Sequence, residues 1–315
     1  MSTKDRKKIA VLNWAGHNNL GDELFNDVYR QFFVDWEIHF FSNSNNASLP
    51  MIDFDVVNQC DLFALGGGDL INSDRLFIPS YWTSKIKAEI PKIILGCGVN
   101  IKKFSQLKLN VLQELNNFSY IGLRDLTSIK ILSEDATLRN RIGLFYDLTF
   151  LLDISKVKQQ EPKKRITVVI PTDRFTDKTD KGIQQYNIVK KSISELKNHI
   201  SIFDKVVFLA LGKEDNDDYK TCKELSKLIS NESEIIMDCN LNKSLMLEAI
   251  AGASYVYTYR LHGLILAKIF GKPCGYYPYH WKLDRMANTL LGCNSQAIKV
   301  WQHECLTKVI KELKL

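Results

Sequence analysis

Tyr257-Thr258-Tyr259-Arg260-Leu261-His262-Gly263-Leu264-Ile265-Leu266-Ala267 is the stretch on which the fold turns. Residues 255–259 are aromatic or β-branched, which predicts a strand. From Leu261 onward Leu264, Ile265 and Ile269 recur at helical spacing, which predicts an apolar helix to about residue 270. A guanidinium and an imidazole therefore stand where a strand stops and a helix starts. In open α/β sheets ligands gather at the carboxyl ends of strands. A helix N-terminus adds unpaired N–H groups and a positive dipole end, so the junction suits an anion.

The same alternation runs through the rest of the chain. Residues 9–14 predict a short apolar strand, followed by the turn-forming loop Ala15-Gly16-His17-Asn18-Asn19-Leu20-Gly21-Asp22-Glu23 and a helix carrying Leu24, Phe25, Val28 and Phe32. Residues 36–41 predict a second strand, which opens a βαβ series. Two strands end in glycine, at Gly66-Gly67-Gly68-Asp69 and at Gly96-Cys97-Gly98. Glycines there let the backbone turn and approach a ligand. Ile71 and Ile101 stand where a dinucleotide fingerprint needs its third glycine, and no GxxxxGK[ST] is present. Dinucleotide and P-loop sites are therefore disfavoured.

Residues 103–117 predict a helix, residues 120–123 a strand ending at Arg124-Asp125, and residues 143–146 a strand leading to Asp147. Residues 153–165 turn to Lys, Gln, Glu and Pro, which predicts an interdomain connection. A second series follows: strands at 166–170, 206–211, 235–237 and 275–277, with helices near 183–196, 219–229, 243–251 and 304–313. The fold class read here is α/β, two Rossmann-like domains, residues 1–155 and 156–315, facing a cleft, with the last helix packing back on the first domain. A chain of 315 residues suits that division.

The net charge of +6 is spread over helix faces without a dense basic stripe, which argues against nucleic acid and fits anionic substrates or an anionic membrane surface. No secretory leader and no membrane span is read, so the cytoplasm is the expected compartment. The seven cysteines lack metal-site spacing, and no metal is expected.

Taken together, Asn19-Leu20-Gly21-Asp22-Glu23, Gly66-Gly67-Gly68, Leu123-Arg124-Asp125 with Ser128, Asp147-Leu148-Thr149-Phe150-Leu151-Leu152, Arg260-Leu261-His262-Gly263 with Ala267, Gly271-Lys272-Pro273 and Tyr279 with Lys282 resemble the polysaccharide pyruvyl transferase family. The resemblance spans nearly the whole chain in order, with Leu148 where the family often carries Pro. It implies a GT-B-like arrangement and transfer of pyruvate from phosphoenolpyruvate to two hydroxyls of a sugar in a capsular, exopolysaccharide or cell-wall glycan precursor. A cyclic ketal forms and phosphate leaves. Phosphoenolpyruvate is a co-substrate and no cofactor is implied. The acceptor sugar is the second partner, lipid-linked in one version, with the protein then at the inner face of the membrane.

That chemistry needs cations for a phosphate and a carboxylate, an acid for the methylene carbon and a base for the attacking hydroxyl. His262 is read as the acid, since imidazole titrates near working pH. Arg260, Leu261 and Lys282 are read as donor-binding, with Arg174 as a second arginine. Arg124 either faces the donor or braces the fold through Asp147. Asp22 and Asp69 are the candidate bases. Asn19, Glu23, Gly67, Gly68, His17, His280 and Trp281 are assigned to the acceptor side. Two other readings stay open: a GT-B glycosyltransferase using a nucleotide sugar, and a non-catalytic subunit of a polysaccharide assembly complex.

Overall fold

A computed structural model describes residues 6–77, 81–159, 164–175, 183–212 and 218–315. Residues 1–5 of the N-terminal segment and 160–163 of the expected connection lie outside the described residues.

By their contacts the residues form two units. The first comprises Met1–Gly16, Asp22–Leu152 and Gln296–Leu315, and the second comprises His17–Gly21 and Asp153–Ser295. Beside the expected boundary near residue 155, with the last helix on the first domain, the contacts differ in one respect: the loop after the first strand belongs to the second unit.

The first unit holds β1 (Lys8–Leu12), α1 (Leu20–Phe32), β2 (Glu37–Phe41), α2 (Phe54–Val57), β3 (Leu62–Ile71), β4 (Lys92–Val99), α3 (Leu109–Leu115), β5 (Tyr120–Leu123), α4 (Leu126–Leu132) and β6 (Ile142–Leu144). All strand pairs are parallel, in the order β2-β1-β3-β4-β5-β6. Every residue of β4 is buried, and Leu62 to Leu65 are fully so, as befits strands covered on both faces. Trp82 fills the core beside Phe63, its ring centroid 5.5 Å away, and its indole N–H donates to the Leu76 carbonyl at 2.8 Å.

The second unit holds β7 (Ile166–Ile170), α5 (Ile183–Lys191), α6 (Ile193–Ile200), β8 (Lys205–Leu209), α7 (Asp218–Ser226), β9 (Glu232–Ile236), α8 (Cys239–Gly252), β10 (Tyr255–Thr258), α9 (Leu261–Ile269), β11 (Cys274–Tyr276) and α10 (Trp281–Leu290). Its parallel sheet has the order β11-β10-β7-β8-β9. Successive strands run outward from β7 through β8 to β9, then return to the other side of β7 with β10. The switch point of this sheet therefore lies between β7 and β10. Residues 255–270 form the strand and helix that the sequence predicts.

Some expected boundaries move. The glycines read as strand ends lie inside strands, because β3 runs on to Ile71 and β4 to Val99. The expected helix over 103–117 is a single 3₁₀ turn, Phe104–Gln106, and the short α3, since Lys103 and Leu107 are extended and interrupt it. The segment near 183–196 breaks into α5 and α6 at Ser192. The last helix, α11 (Ser295–Glu312), starts nine residues before the expected Glu304. Gln302, buried on α11, explains why that helix lies on the first unit: its side-chain amide donates to the Tyr146 carbonyl at 2.9 Å.

Candidate active site

In the second unit, β10 is ended by Thr258. Its hydroxyl accepts from the Arg260 N–H at 2.9 Å and donates to the Arg260 carbonyl at 2.8 Å. This local turn diverts the backbone from strand to helix, as Ser and Thr side chains do where they compete with ladder bonds. Gly263, one turn into α9, lies against Thr258 so closely that a Cβ would collide with the hydroxyl. Arg260 is the N-cap of α9, and Leu261 and His262 are its first two residues.

Arg260 is held from two sides. Its Nε donates to Asp218 Oδ2 at 3.1 Å, and its Nη2 donates both to Asp218 Oδ1 and to Asp173 Oδ1, the latter at 3.3 Å. Asp173 follows β7 and Asp218 opens α7 after β8, so the cluster gathers the carboxyl ends of three adjacent strands. Asp218 is fully buried and also accepts from the backbone N–H of Asp173 at 2.8 Å and of Gly212 at 3.1 Å. Arg174 comes to 3.7 Å from Asp173. The fork read as open to an anion is therefore largely engaged by carboxylates. Nη1 of Arg260 makes no hydrogen bond to a described residue, so two of the five guanidinium N–H bonds point elsewhere.

Burial pushes the Asp218 carboxyl up to about 6, against the pull of Arg260 in the other direction. The guanidinium of Arg260 is raised above its ordinary value: burial lowers it, and Asp218, Tyr279 and Asp173 outweigh that. At neutral pH Asp218 is ionised and the clamp is intact. Below about 6 it takes up a proton and its grip on Arg260 weakens. Activity that depends on Arg260 should fall along an acid limb near that pH, which a pH–rate profile checks; Asp218→Asn should abolish the limb. Global unfolding through this group is not the cause. Its folded value exceeds the unfolded one of about 4, so the native state binds the extra proton first. Between about 6 and about 4 its protonation favours the folded chain as pH falls.

Lys282 is the second residue of α10, which follows the neighbouring strand β11. Its backbone N–H donates to His280 Nδ1 at 3.3 Å, so His280, assigned to an acceptor, also caps a helix. Trp281, likewise assigned to an acceptor, has the Arg285 guanidinium stacked 3.9 Å from its ring centroid.

His17 and Asn19 were also placed with the first domain on sequence grounds, yet by contacts they belong to the second unit. Asn19 forms a backbone bridge with Gly212, three residues past the end of β8. Gly21, in the same loop, lies against the imidazole of His262.

The first unit has its own charged cluster at strand ends. Arg124, just after β5, pairs with Asp69 of β3 and donates to Asp147 at 3.5 Å. Gly98 of β4 leaves the space for this, since a Cβ there would strike the Asp69 carboxylate. Of the two roles open to Arg124, the geometry is that of a brace, and Asp69 is its counter-ion. Arg124→Leu would leave Asp147, fully buried, and Asp69 without their shared cation. The expected cost is about 3–5 kcal/mol, measured by chemical denaturation.

Asp22 lies in the first turn of α1, near Gly68. Glu23 accepts the Gly16 N–H at 2.7 Å and so fastens the turn after β1. Gly67 faces the ring of Phe25, which a Cβ would meet, and this packing accounts for the missing side chain without an acceptor sugar. Sequence reasoning missed Asp218, Asp173 and Asn18. Among the described residues no group of three or more His, Cys, Asp or Glu side chains could hold a metal ion, and no helix is long and apolar enough to cross a membrane.

Two parallel-sheet α/β units, with charged side chains at the carboxyl ends of their strands, define a GT-B-like protein. Among solved structures, UDP-GlcNAc 2-epimerase from Methanocaldococcus jannaschii, in complex with UDP-GlcNAc and UDP, is similar in fold at a TM-score of 0.55 and 11% identity, over 98% of this chain and 100% of that one. A wall teichoic acid polymerase is similar at a TM-score of 0.50 and 11% identity, over 97% of this chain and 89% of that one. No curated protein matches the sequence significantly. The sequence pattern described as polysaccharide pyruvyl transferase matches residues 6–280, and the chain belongs to that family.

Proposed function

We propose that the protein transfers pyruvate from phosphoenolpyruvate to two hydroxyls of a sugar in a polysaccharide precursor. The carrying observation is the junction at the switch point of the second sheet. There Arg260, fixed by two aspartates, keeps Nη1 uncommitted, two residues from the imidazole of His262 at the start of α9.

In this reading Nη1 of Arg260 takes a phosphate or carboxylate oxygen of the donor, helped by the N-terminal N–H groups of α9. Lys282 and Arg174 supply further positive charge, and Leu261 lines the donor. His262 gives its proton to the methylene carbon of the enol phosphate as a sugar hydroxyl adds to the adjacent carbon. The hydroxyl proton goes to a base, the C–O bond to phosphate breaks, and the second sugar hydroxyl closes the ketal as its proton leaves with the phosphate. Asp69 is already engaged by Arg124, which leaves it less available to a sugar hydroxyl. Asp22 is the other candidate base read from the sequence. The reaction belongs at the cytoplasmic face of the membrane if the precursor is lipid-linked.

Incubation of the purified protein with phosphoenolpyruvate and a panel of lipid-linked and aryl glycosides tests this. Mass spectrometry should show glycosides heavier by one pyruvyl ketal, with inorganic phosphate released in equal amount. Nucleoside diphosphate release from a sugar nucleotide would favour a glycosyltransferase instead. No ketal from any glycoside, together with no phosphoenolpyruvate binding by calorimetry, would overturn the reading.

A further inference from the structure

We infer that the loop His17–Gly21 is a built part of the donor site, and that Asn18 and Gly21 are positioning residues for His262. The inference rests on the acid role proposed for His262. It stands on three sets of contacts, all within the second unit.

The loop is pinned at its start by Asn18. Its Nδ2 donates to Asp238 Oδ1 at 3.0 Å, and its Oδ1 accepts from the Cys239 thiol at 3.0 Å and from the Asn240 N–H at 3.3 Å. Asp238 is the N-cap of α8 but provides no side-chain cap bond of its own. The amide of Asn18 therefore does the capping from a distant part of the sequence, satisfying an N–H that the helix leaves unpaired. Asn18 adopts a left-handed backbone at φ 52°, a region Asn tolerates better than most residues. Only an amide serves here, since the same side chain must donate to a carboxylate and accept from an N–H.

The middle of the loop is fastened to the segment just after β8. Leu20 donates its N–H to the Leu211 carbonyl at 2.9 Å, and Asn19 bridges to Gly212. Gly212 in turn donates to Asp218, the residue that clamps Arg260. One strand end thus receives the loop and supports the arginine.

At the far end, Gly21 presses its Cα against the His262 ring. A Cβ on Gly21 would overlap Nδ1, Cγ and Cε1 of the imidazole. Because Cγ is one bond from the His262 Cβ, sliding the ring tip aside cannot relieve the overlap; the whole ring must rotate. The backbone of Gly21 thereby fixes one face of the proposed acid, and the pins at Asn18 and Leu20 fix Gly21.

Histidine-selective labelling and NMR titration of the full chain test this. The His262 signal is assigned as the one lost in His262→Gln. Gly21→Ala and the isosteric Asn18→Asp should each shift that signal and its titration midpoint. Each should also lower kcat for ketal formation by about 10²-fold, with KM for phosphoenolpyruvate changed by less than about threefold, as for a misplaced catalytic group. Asn18→Asp adds no bulk near His262, so it reads positioning even where Gly21→Ala fails to fold. An unmoved His262 signal in soluble, folded Asn18→Asp would overturn the inference. The NMR shift needs no substrate. A shifted signal in a protein that makes no ketal supports the loop's placement and counts against pyruvyl transfer alone.

Discussion

Replacing His262 by Gln should reduce ketal formation by roughly 10²–10⁴-fold in kcat, the usual worth of a positioned acid or base. Phosphoenolpyruvate should still bind with nearly unchanged affinity. Adding a hydroxyl across an enol phosphate puts a proton on carbon, and carbon takes a proton slowly from water. A side chain that holds the proton in place is therefore worth most at this step. Gln keeps the approximate size and a hydrogen-bonding tip but cannot transfer a proton. Single-turnover kinetics with calorimetry of donor binding separate the two effects. A His262→Gln enzyme with undiminished kcat would remove His262 from the chemistry and make it a packing residue beneath Gly21.

Arg260→Lys should instead raise KM for phosphoenolpyruvate by about 10- to 150-fold, the equivalent of one charge-assisted hydrogen bond. A lysine keeps the charge, so the substitution isolates geometry. The guanidinium spends Nε and Nη2 on Asp218 and Asp173 and retains Nη1 for another partner. An ammonium is a single point on a flexible stem and cannot serve both at fixed angles. It should settle on the buried Asp218, toward which an uncompensated charge would otherwise stand, and withdraw from the donor. Isothermal calorimetry of donor binding is the direct readout. Unchanged affinity would mean that the arginine serves only to neutralise Asp218.

Arg260 also shows where a sequence stops being informative. Its place at a strand-to-helix junction is written in the change of period from 255–259 to 261–269, a local property. That it would be clamped by carboxylates is not. Asp218 lies in the acidic run Glu214-Asp215-Asn216-Asp217-Asp218, and nothing in that run separates the buried carboxylate from its neighbours. The reading of His280 and Trp281 as acceptor residues failed to anticipate the cap on α10 and the stacking of Arg285. Nor was the packing of Phe25 on Gly67 foreseen, because a glycine that admits a ligand and one that admits a phenyl ring look alike.

The sequence by itself determined the two α/β series, the family and the location of the Arg260–His262 junction, since strand and helix periodicity and ordered motifs are properties of neighbouring residues. The tertiary structure alone decided which unit owns the loop after β1, which carboxylates hold Arg260 and Arg124, and what touches the His262 ring. Those depend on side chains as far apart in sequence as Asn18 and Asp238, brought together only when strand ends align along the rim of a sheet, where no local period can record them.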